Sequence, residues 1–413
     1  MGLTADEIKI VRSTVPVLQA HGTQITTTFY NNLLHDAPSL WDIFSVTNQK
    51  NGAQPRALAG SLLAYAANID DLGVLAPAVE RICQKHVSLY IQPAQYDVVG
   101  KYLLAAMGEV LGDALTPDVL AAWAAAYTQL ANVLIGKEAQ LYSEFDGWTD
   151  WRKFKIAKKV KEADNITSFY LEPEDGKPLP KFKPGQYVSV QLAVPSFGYL
   201  QSRQYSLSDE PRSDYYRISV KREAGVAPEG GEVVNEAGLV SNILHDKTEI
   251  GDLIGVSHPA GEFFLDPTEA DQSPVVLISA GVGITPMVSI LNTLVHHKST
   301  RKISWIHTAR SSALHAFRHH VHQISKSHAN IHSVVFKSNV VDGDVNGEDY
   351  HFDVRMDLKK VHPATDLFLD DKSTTYYVCG PGVFMSEVAA SLEGMGVSPD
   401  KIKMEVFGTG DLK

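Results

Sequence analysis

Cysteine is nearly missing. Only Cys83 and Cys379 occur in 413 residues, and they form no CxxC pair. Two lone thiols exclude a disulfide framework and a four-cysteine metal site, and they fit a reducing compartment. Also missing is any excess of positive charge. Lys and Arg number 37 against 48 Asp and Glu, a formal net charge of −11, and residues 1–150 hold 8 basic against 15 acidic side chains. That sign works against nucleic acid and anionic membranes as partners. No apolar run is long and pure enough for a membrane span. The nearest, 119–136, is interrupted by Thr128, Gln129 and Asn132 and carries an amphipathic stripe, the pattern of a core helix. The opening MGLTADEIKI has neither a signal-peptide pattern nor a myristoylation motif, since Asp6 stands where a hydroxyl is needed. A cytoplasmic protein is expected.

What is present reads as three grammars. The length suits two to three domains, and 44 % apolar with 21 % charged residues is ordinary for a globular chain. Residues 1–148 hold 22 alanines in helical periodicity, with Pro38, Pro77, Pro93 and Pro117 read as helix stops and Pro93 also suited to the first turn of the helix carrying Tyr96. Asp146 and Gly147 mark a boundary. Runs at 168–171, 186–190, 216–220 and 253–256 are β-branched and aromatic, with turns at Pro184–Gly185 and Gly251–Asp252, which predicts a small antiparallel barrel. The stretch 223–238, with glycines 225, 230, 231 and 238, reads as an exposed loop of no assigned role. From Pro274, VVLIS, a glycine turn, a helix through Leu294, ISWIHT, another helix, SVVF and TYYVCG alternate in doubly wound α/β fashion. The expected fold is multidomain: all-α over 1–148, an antiparallel β-barrel over 149–267, and a doubly wound α/β domain over 268–413.

Polar residues interrupt several apolar stripes of the first part. Across 75–90, Leu75, Val79, Ile82, His86 and Leu89 share one helical face, so His86 is expected to point inward with the core. A hydrogen-bonded core histidine is the plain reading; recurrence of the anomaly on neighbouring helices raises the case for metal ligation. Gln54 precedes Leu58, Leu62, Tyr65 and Ile69. Tyr96 leads Val99, Leu103, Met107 and Val110. Glu138 falls among Trp123, Tyr127, Leu130, Leu134 and Leu141, and Tyr30 is read in a short helical segment beside Phe29 and Leu33. A buried carboxylate needs a partner, and an imidazole N–H is one, as in a carboxylate–histidine–metal relay. Alternatively, Glu138 reaches solvent at a helix edge.

The later domains carry phosphate and flavin motifs. Arg203, Gln204, Tyr205 and Ser206 follow a predicted strand and resemble the flavin motif of the ferredoxin reductase family. Arg203 can bridge a diphosphate, Tyr205 can pack on the isoalloxazine, and Ser206 can hydrogen-bond near the reacting flavin nitrogen; an ordinary strand end is the alternative. Tyr187 supplies a second aromatic, and Gly238 to Ser241 open a helix whose N–H groups can receive a pyrophosphate. Gly281, Val282, Gly283, Ile284, Thr285 and Pro286 sit between strand and helix. They depart from GxGxxG at Pro286 and resemble that family's nicotinamide site. Cys379, Gly380 and Pro381 match it too, a buried structural cysteine being the other reading. Glu405, Val406, Phe407, Gly408 and Thr409 resemble its ending, with Thr409 where proline is usual, or else form a plain terminal strand.

Together with FYNNLL at 29–34 and the stretches at 43–70, 84–100 and 132–142, these motifs resemble the flavohaemoglobins over nearly the whole chain. The resemblance implies haem b, held without covalent attachment because CQKH is not CxxCH. His86 is then the proximal iron ligand, Phe44 packs on the porphyrin, and Gln54 and Leu58 line the distal side. Tyr30 donates to bound dioxygen, Tyr96 and Glu138 hydrogen-bond the proximal side, and Lys85 sets potentials at the haem–flavin boundary or is simply a solubilising lysine. FAD falls to Tyr187, Arg203, Gln204, Tyr205, Ser206, Gly238, Ser241, Glu405 and Phe407. NADH or NADPH falls to the 281–286 turn, Cys379, Gly380, Pro381, Val406, Gly408 and Thr409, with Arg310 and Ser311 meeting a 2′-phosphate or facing solvent. The implied activity is nitric oxide dioxygenation: NAD(P)H reduces FAD, FAD reduces the haem, and the ferrous-oxy haem turns nitric oxide into nitrate. The implied partners are O2 and nitric oxide, with no obligatory protein partner and a monomeric state. Two rivals stand beside it: an oxygen carrier or sensor that reduces its own iron, and a flavin reductase with a helical docking domain.

Overall fold

Proline placement organises the helical part of the computed structural model, which describes residues 2–225, 237–267 and 271–408. The helices are α1 (Ala5–Ser13), α2 (Val15–Asp36), α3 (Val46–Lys50), α4 (Ala53–Ala67), α5 (Ala76–Val87), α6 (Pro93–Leu111) and α7 (Pro117–Ser143). Pro77, Pro93 and Pro117 occupy first turns, and Pro38 opens a 3-10 turn. Pro93 thus takes the first-turn place expected of it and Pro38 follows the end of α2 as a stop would, whereas Pro77 and Pro117 are start signals, contrary to their reading as stops. Proline lacks the N–H that a first turn leaves unused, and its φ is already helical. Ile25, Phe29 and Leu33 of α2 pack with Leu62 and Tyr65 of α4, Leu103 and Met107 of α6, and Trp123 of α7.

Three local expectations change. Tyr30 lies in the 22-residue helix α2, not in a short segment, because the threonine-rich approach to it continues the helix. Helix α5 stops at Val87, so Leu89 and Tyr90 lie beyond it, Tyr90 at φ 56°. The stripe through Val79, Ile82 and His86 is only half-buried, while Cys83 and Val87 enter the core. His86 is itself half-buried, but its ring turns inward as the spacing predicts, onto buried Tyr96 and Glu138 of the neighbouring helices. Helix α7 has the length and apolarity of a membrane span. Its buried face nevertheless includes Glu138, and it packs against α1, α5 and α6, as a core helix does.

The second part comprises β1 (Arg152–Ala163), β2 (Ile166–Pro173), β3 (Tyr187–Val194), β4 (Tyr199–Ser206), β5 (Tyr216–Lys221), α8 (Leu239–Asp246) and β6 (Leu253–Val256). Its antiparallel order is β4-β3-β6-β1-β2-β5, and a bridge between Leu207 and Ile218 joins the two ends into a barrel. Strand β1 escaped the sequence reading. Its Phe154 and Ile156 are fully buried, but five lysines along it mask the alternation. The motif at Arg203–Ser206 ends β4 rather than following a strand. Most of the 223–238 loop, residues 226–236, lies outside the described residues.

The third part alternates β7 (Val275–Ala280), α9 (Ile284–His296), β8 (Ile303–Ala309), α10 (Arg318–Ser327), β9 (Ile331–Lys337), β10 (Thr375–Cys379), α11 (Gly382–Gly394) and β11 (Ile402–Glu405). The sheet is parallel in the order β11-β10-β7-β8-β9. Residues of α9 and α10 cover one face and those of α11 the other. The order reverses between β7 and β10, the crevice where such sheets bind ligands.

Helical part and barrel meet around His258. Its ring stacks on Phe145 at 3.8 Å, its Nδ1 donates to Pro259 O, and its backbone N–H donates to the Tyr90 hydroxyl. Burial lowers its pKa from 6.5 to about 4. The unfolded chain then binds more protons between those values, so stability is fully present above about pH 6.5 and lost as pH falls through 4, by at most about 3 kcal/mol. The expected result is that His258→Gln reduces the fall in unfolding free energy between pH 7 and 4.5. Equal slopes in the two proteins would remove His258 as the cause.

Candidate functional site

The last turn of α5 presents His86 to α6 and α7. Its Nδ1 lies 2.8 Å from Glu138 Oε1 and 2.9 Å from the Tyr96 hydroxyl, and that hydroxyl donates to the same carboxylate oxygen at 2.5 Å. Glu138 is 2 % exposed. An ionised carboxylate only accepts, so Nδ1 carries the proton and Nε2 keeps its lone pair. That tautomer is the one a metal needs, and the carboxylate raises the ring's basicity. Burial, and then Glu138, push the Tyr96 phenol far up, so it remains a donor. The expectation that Glu138 pairs with an imidazole holds, and the helix-edge alternative falls.

Tyr30 is buried on α2 and its hydroxyl is hydrogen-bonded by Gln54 of α4. Desolvation raises its pKa despite that bond, which keeps the phenol protonated. Phe44 stands edge-on to Tyr30 at 5.4 Å, and Leu58 follows Gln54 by one helical turn. Phe44 and Leu58, like Val79 and Ile82 of α5, are half-buried apolar groups. An imidazole with a directed lone pair, apolar walls and a buried phenol fit a haem.

In the barrel, Tyr187 pairs with Ser206, Ser189 with Gln204, and Val190 with Arg203, so two motifs distant in sequence form one ladder. The hydroxyls of Ser202 and Ser206 and Nε2 of Gln49 are buried without a hydrogen-bond partner among the described residues. Orphaned polar atoms beside Arg203 and Tyr205 fit a flavin and its phosphates. Arg203 donates to Ser202 O and to Thr47 Oγ1. Gln204 Nε2 donates to Ser189 Oγ, which donates to Ser88 Oγ, and Ser88 also hydrogen-bonds Tyr187. Ser88 is two residues past His86, so the flavin ladder touches the proximal turn directly. Lys85 is partly buried, and burial together with Arg203 lowers its pKa, unlike a solubilising lysine. Gly238 caps α8, where Ser241 Oγ donates to its carbonyl. A Cβ on Gly238 would lie 2.5 Å from that hydroxyl.

At the switch point Gly281 takes φ 56°, and a Cβ on Gly283 would lie 2.3 Å from Cys379 O and 2.7 Å from Gly380 N. Only glycine lets the β7 and β10 turns touch, which brings the Gly281–Pro286 turn and the Cys379–Pro381 turn together at the N-termini of α9 and α11. Burial pushes the Cys379 thiol well up, and burial with Glu138 pushes Cys83 up to about 12, so both free thiols stay protonated. Glu405 lies in register with Cys379, and its carboxyl is raised by burial and by Glu262 against the pull of Arg81. Val406 is partly buried, Phe407 is 44 % exposed and Gly408 is exposed, while Thr409 lies outside the described residues. The sequence reading missed Gln49, Ser88, Ser189 and Gln201. Ser189, between two valines of a strand, was the one with a visible signal.

Comparison with known proteins completes the picture. The Globin family matches residues 27–134, the oxidoreductase FAD-binding domain 153–265 and the oxidoreductase NAD-binding domain 277–390. The flavohemoprotein of Oceanobacillus iheyensis is 45 % identical over 408 residues, 97 % of this chain and 95 % of its own. That of Bacillus subtilis is 44 % identical over 97 % and 96 %. Among solved structures, flavohemoglobin from Malassezia yamatoensis with bound FAD and heme matches with a TM-score of 0.85 and 31 % identity, covering 99 % of this chain and 100 % of that one. The FAD/NAD-binding domain of nitric oxide dioxygenase from Vibrio cholerae matches with a TM-score of 0.54 and 34 % identity, over 63 % of this chain and 99 % of that one.

Proposed function

We propose that this chain, which belongs to the flavohemoprotein family, is a nitric oxide dioxygenase. It is an oxidoreductase with haem, FAD and nicotinamide dinucleotide as cofactors. The overall reaction is 2 NO + 2 O2 + NAD(P)H → 2 nitrate + NAD(P)+ + H+, in which one hydride supplies the electrons for two turnovers. Haem supplies an iron that binds a diatomic gas and takes one electron at a time, and FAD splits a hydride into two such electrons.

The observation that carries this reading is that both sides of the haem cleft are polarised. On the proximal side, Glu138 and Tyr96 hold His86 as a proton donor at Nδ1 and strengthen Nε2 as a ligand. On the distal side, the protonated phenol of Tyr30 is positioned by Gln54 to donate to a gas held in the cleft, where negative charge develops. A reversible oxygen carrier needs neither push nor anchor of this strength. Arg203, Gln204, Tyr205, Ser206 and Tyr187 hold the flavin, with Gly238 and Ser241 on its phosphate side. The Gly281–Pro286 turn and Cys379–Pro381 hold the nicotinamide dinucleotide, and Phe407 covers the flavin. Lys85 sets potentials at the haem–flavin boundary, and Glu405 belongs to the flavin site. The domains are 1–148, 149–267 and 268–413, and donor and acceptor modules on one polypeptide need no second subunit. We place the protein in the cytoplasm, where two free thiols stay reduced. The test is a nitric oxide electrode trace. Nitric oxide should vanish only when both O2 and a reduced nicotinamide are present, and indifference to either would refute the reading.

A further inference from the structure

The flavin strand is tied to the distal side of the haem cleft by one buried amide. Gln201 of β4 is 1 % exposed, two residues before Arg203. Its Nε2 donates to Trp41 O at 2.7 Å, to Phe44 O at 3.2 Å and to Leu200 O at 2.8 Å, and its Oε1 accepts from Val46 N at 3.0 Å. Alongside it, Leu200 N donates to Asp42 Oδ1, Arg203 donates to Thr47 Oγ1, and Trp41 meets Phe197 edge-on. Three backbone carbonyls share the two N–H hydrogens of the amide and one backbone N–H reaches its oxygen, which fixes position rather than merely filling space. The turn held in this way carries Phe44, whose ring meets Tyr30.

We propose that Gln201 is a positioning residue for electron transfer: it locks the turn at 41–46 to strand β4, and so fixes the haem cleft relative to the flavin. It acts through Phe44 and the strand, since its amide is spent on backbone groups of the protein. The step concerned is transfer of one electron from reduced FAD to ferric haem, with NAD(P)H as the source. The inference rests on the two bound cofactors and not on nitric oxide as substrate, so anaerobic measurements without nitric oxide separate its failure from failure of the dioxygenase reading.

Two variants test it. Gln201→Ala removes all four bonds. Gln201→Glu keeps the shape and the Val46 contact but sets an acceptor against three carbonyls, and it carries the test should the alanine variant not fold. In anaerobic stopped-flow with NADH, FAD reduction is expected to stay within about twofold of wild type, while haem reduction slows about tenfold or more. Hydrogen–deuterium exchange of the loaded protein is expected to speed up over 41–46 and leave α6 and α9 unchanged. Wild-type haem reduction would overturn the proposal. So would equal slowing of both steps with faster exchange throughout, the signature of a merely structural residue.

Discussion

Replacing Tyr30 by phenylalanine is expected to speed oxygen release and to cut nitric oxide consumption about ten- to a hundredfold. The phenol is buried, remains protonated, and is held by Gln54. A hydrogen bond to a group that carries charge contributes about 1.5–3 kcal/mol, and a factor of ten costs 1.4 kcal/mol, which sets that range. Phenylalanine keeps the edge-on contact with Phe44 and the packing with Phe29, so haem content and thermal stability should change little. Oxygen dissociation followed by stopped-flow, with nitric oxide uptake in parallel, reads both effects. Unchanged values would take Tyr30 out of the mechanism and shift weight to other distal groups.

The second large effect is on the proximal side. Glu138→Gln keeps the volume and one acceptor for His86 Nδ1–H but removes the negative charge that raises the ring's basicity. Partners of this kind are worth about 10–100-fold in activity or metal affinity. Turnover should therefore fall by that order while haem content stays near normal, and the iron–histidine stretching frequency of the ferrous protein should drop. Glu138→Ala goes further, leaving the His86 Nδ1–H and the Tyr96 hydroxyl without their shared acceptor, and an unsatisfied buried donor costs about 1–3 kcal/mol. Complete haem loss in Glu138→Gln would make the residue structural; an unshifted iron–histidine frequency would deny its electronic role.

The sequence made the anomalies visible more readily than their geometry. A carboxylate on an otherwise apolar stripe had to find a partner, and Glu138 finds the two residues, His86 and Tyr96, that break the stripes of neighbouring helices. The inward facing of His86 was legible from the stripe, but its half-burial was not, because a cofactor-lining stripe and a core-lining stripe have the same period. Pro77 and Pro117 were misread because a residue that cannot sit inside a helix marks its beginning as well as its end. Strand β1 hid behind its lysines, which alternate with and outnumber its two fully buried apolar residues, Phe154 and Ile156. The three modules were legible from their grammar. The clasps between them were not, because Gln201 with Phe44 and Ser88 with Ser189 unite residues more than a hundred positions apart and leave no local pattern.

The central claim is that electrons entering as hydride leave as nitrate. The most direct measurement is the ratio of nicotinamide oxidised to isotopically labelled nitrate formed from labelled nitric oxide under air, with protein loaded with haem and FAD. The reaction proposed here requires one NAD(P)H per two nitrate, abolished by cyanide. NAD(P)H oxidation that proceeds at the same rate without nitric oxide, or yields no labelled nitrate, would contradict it.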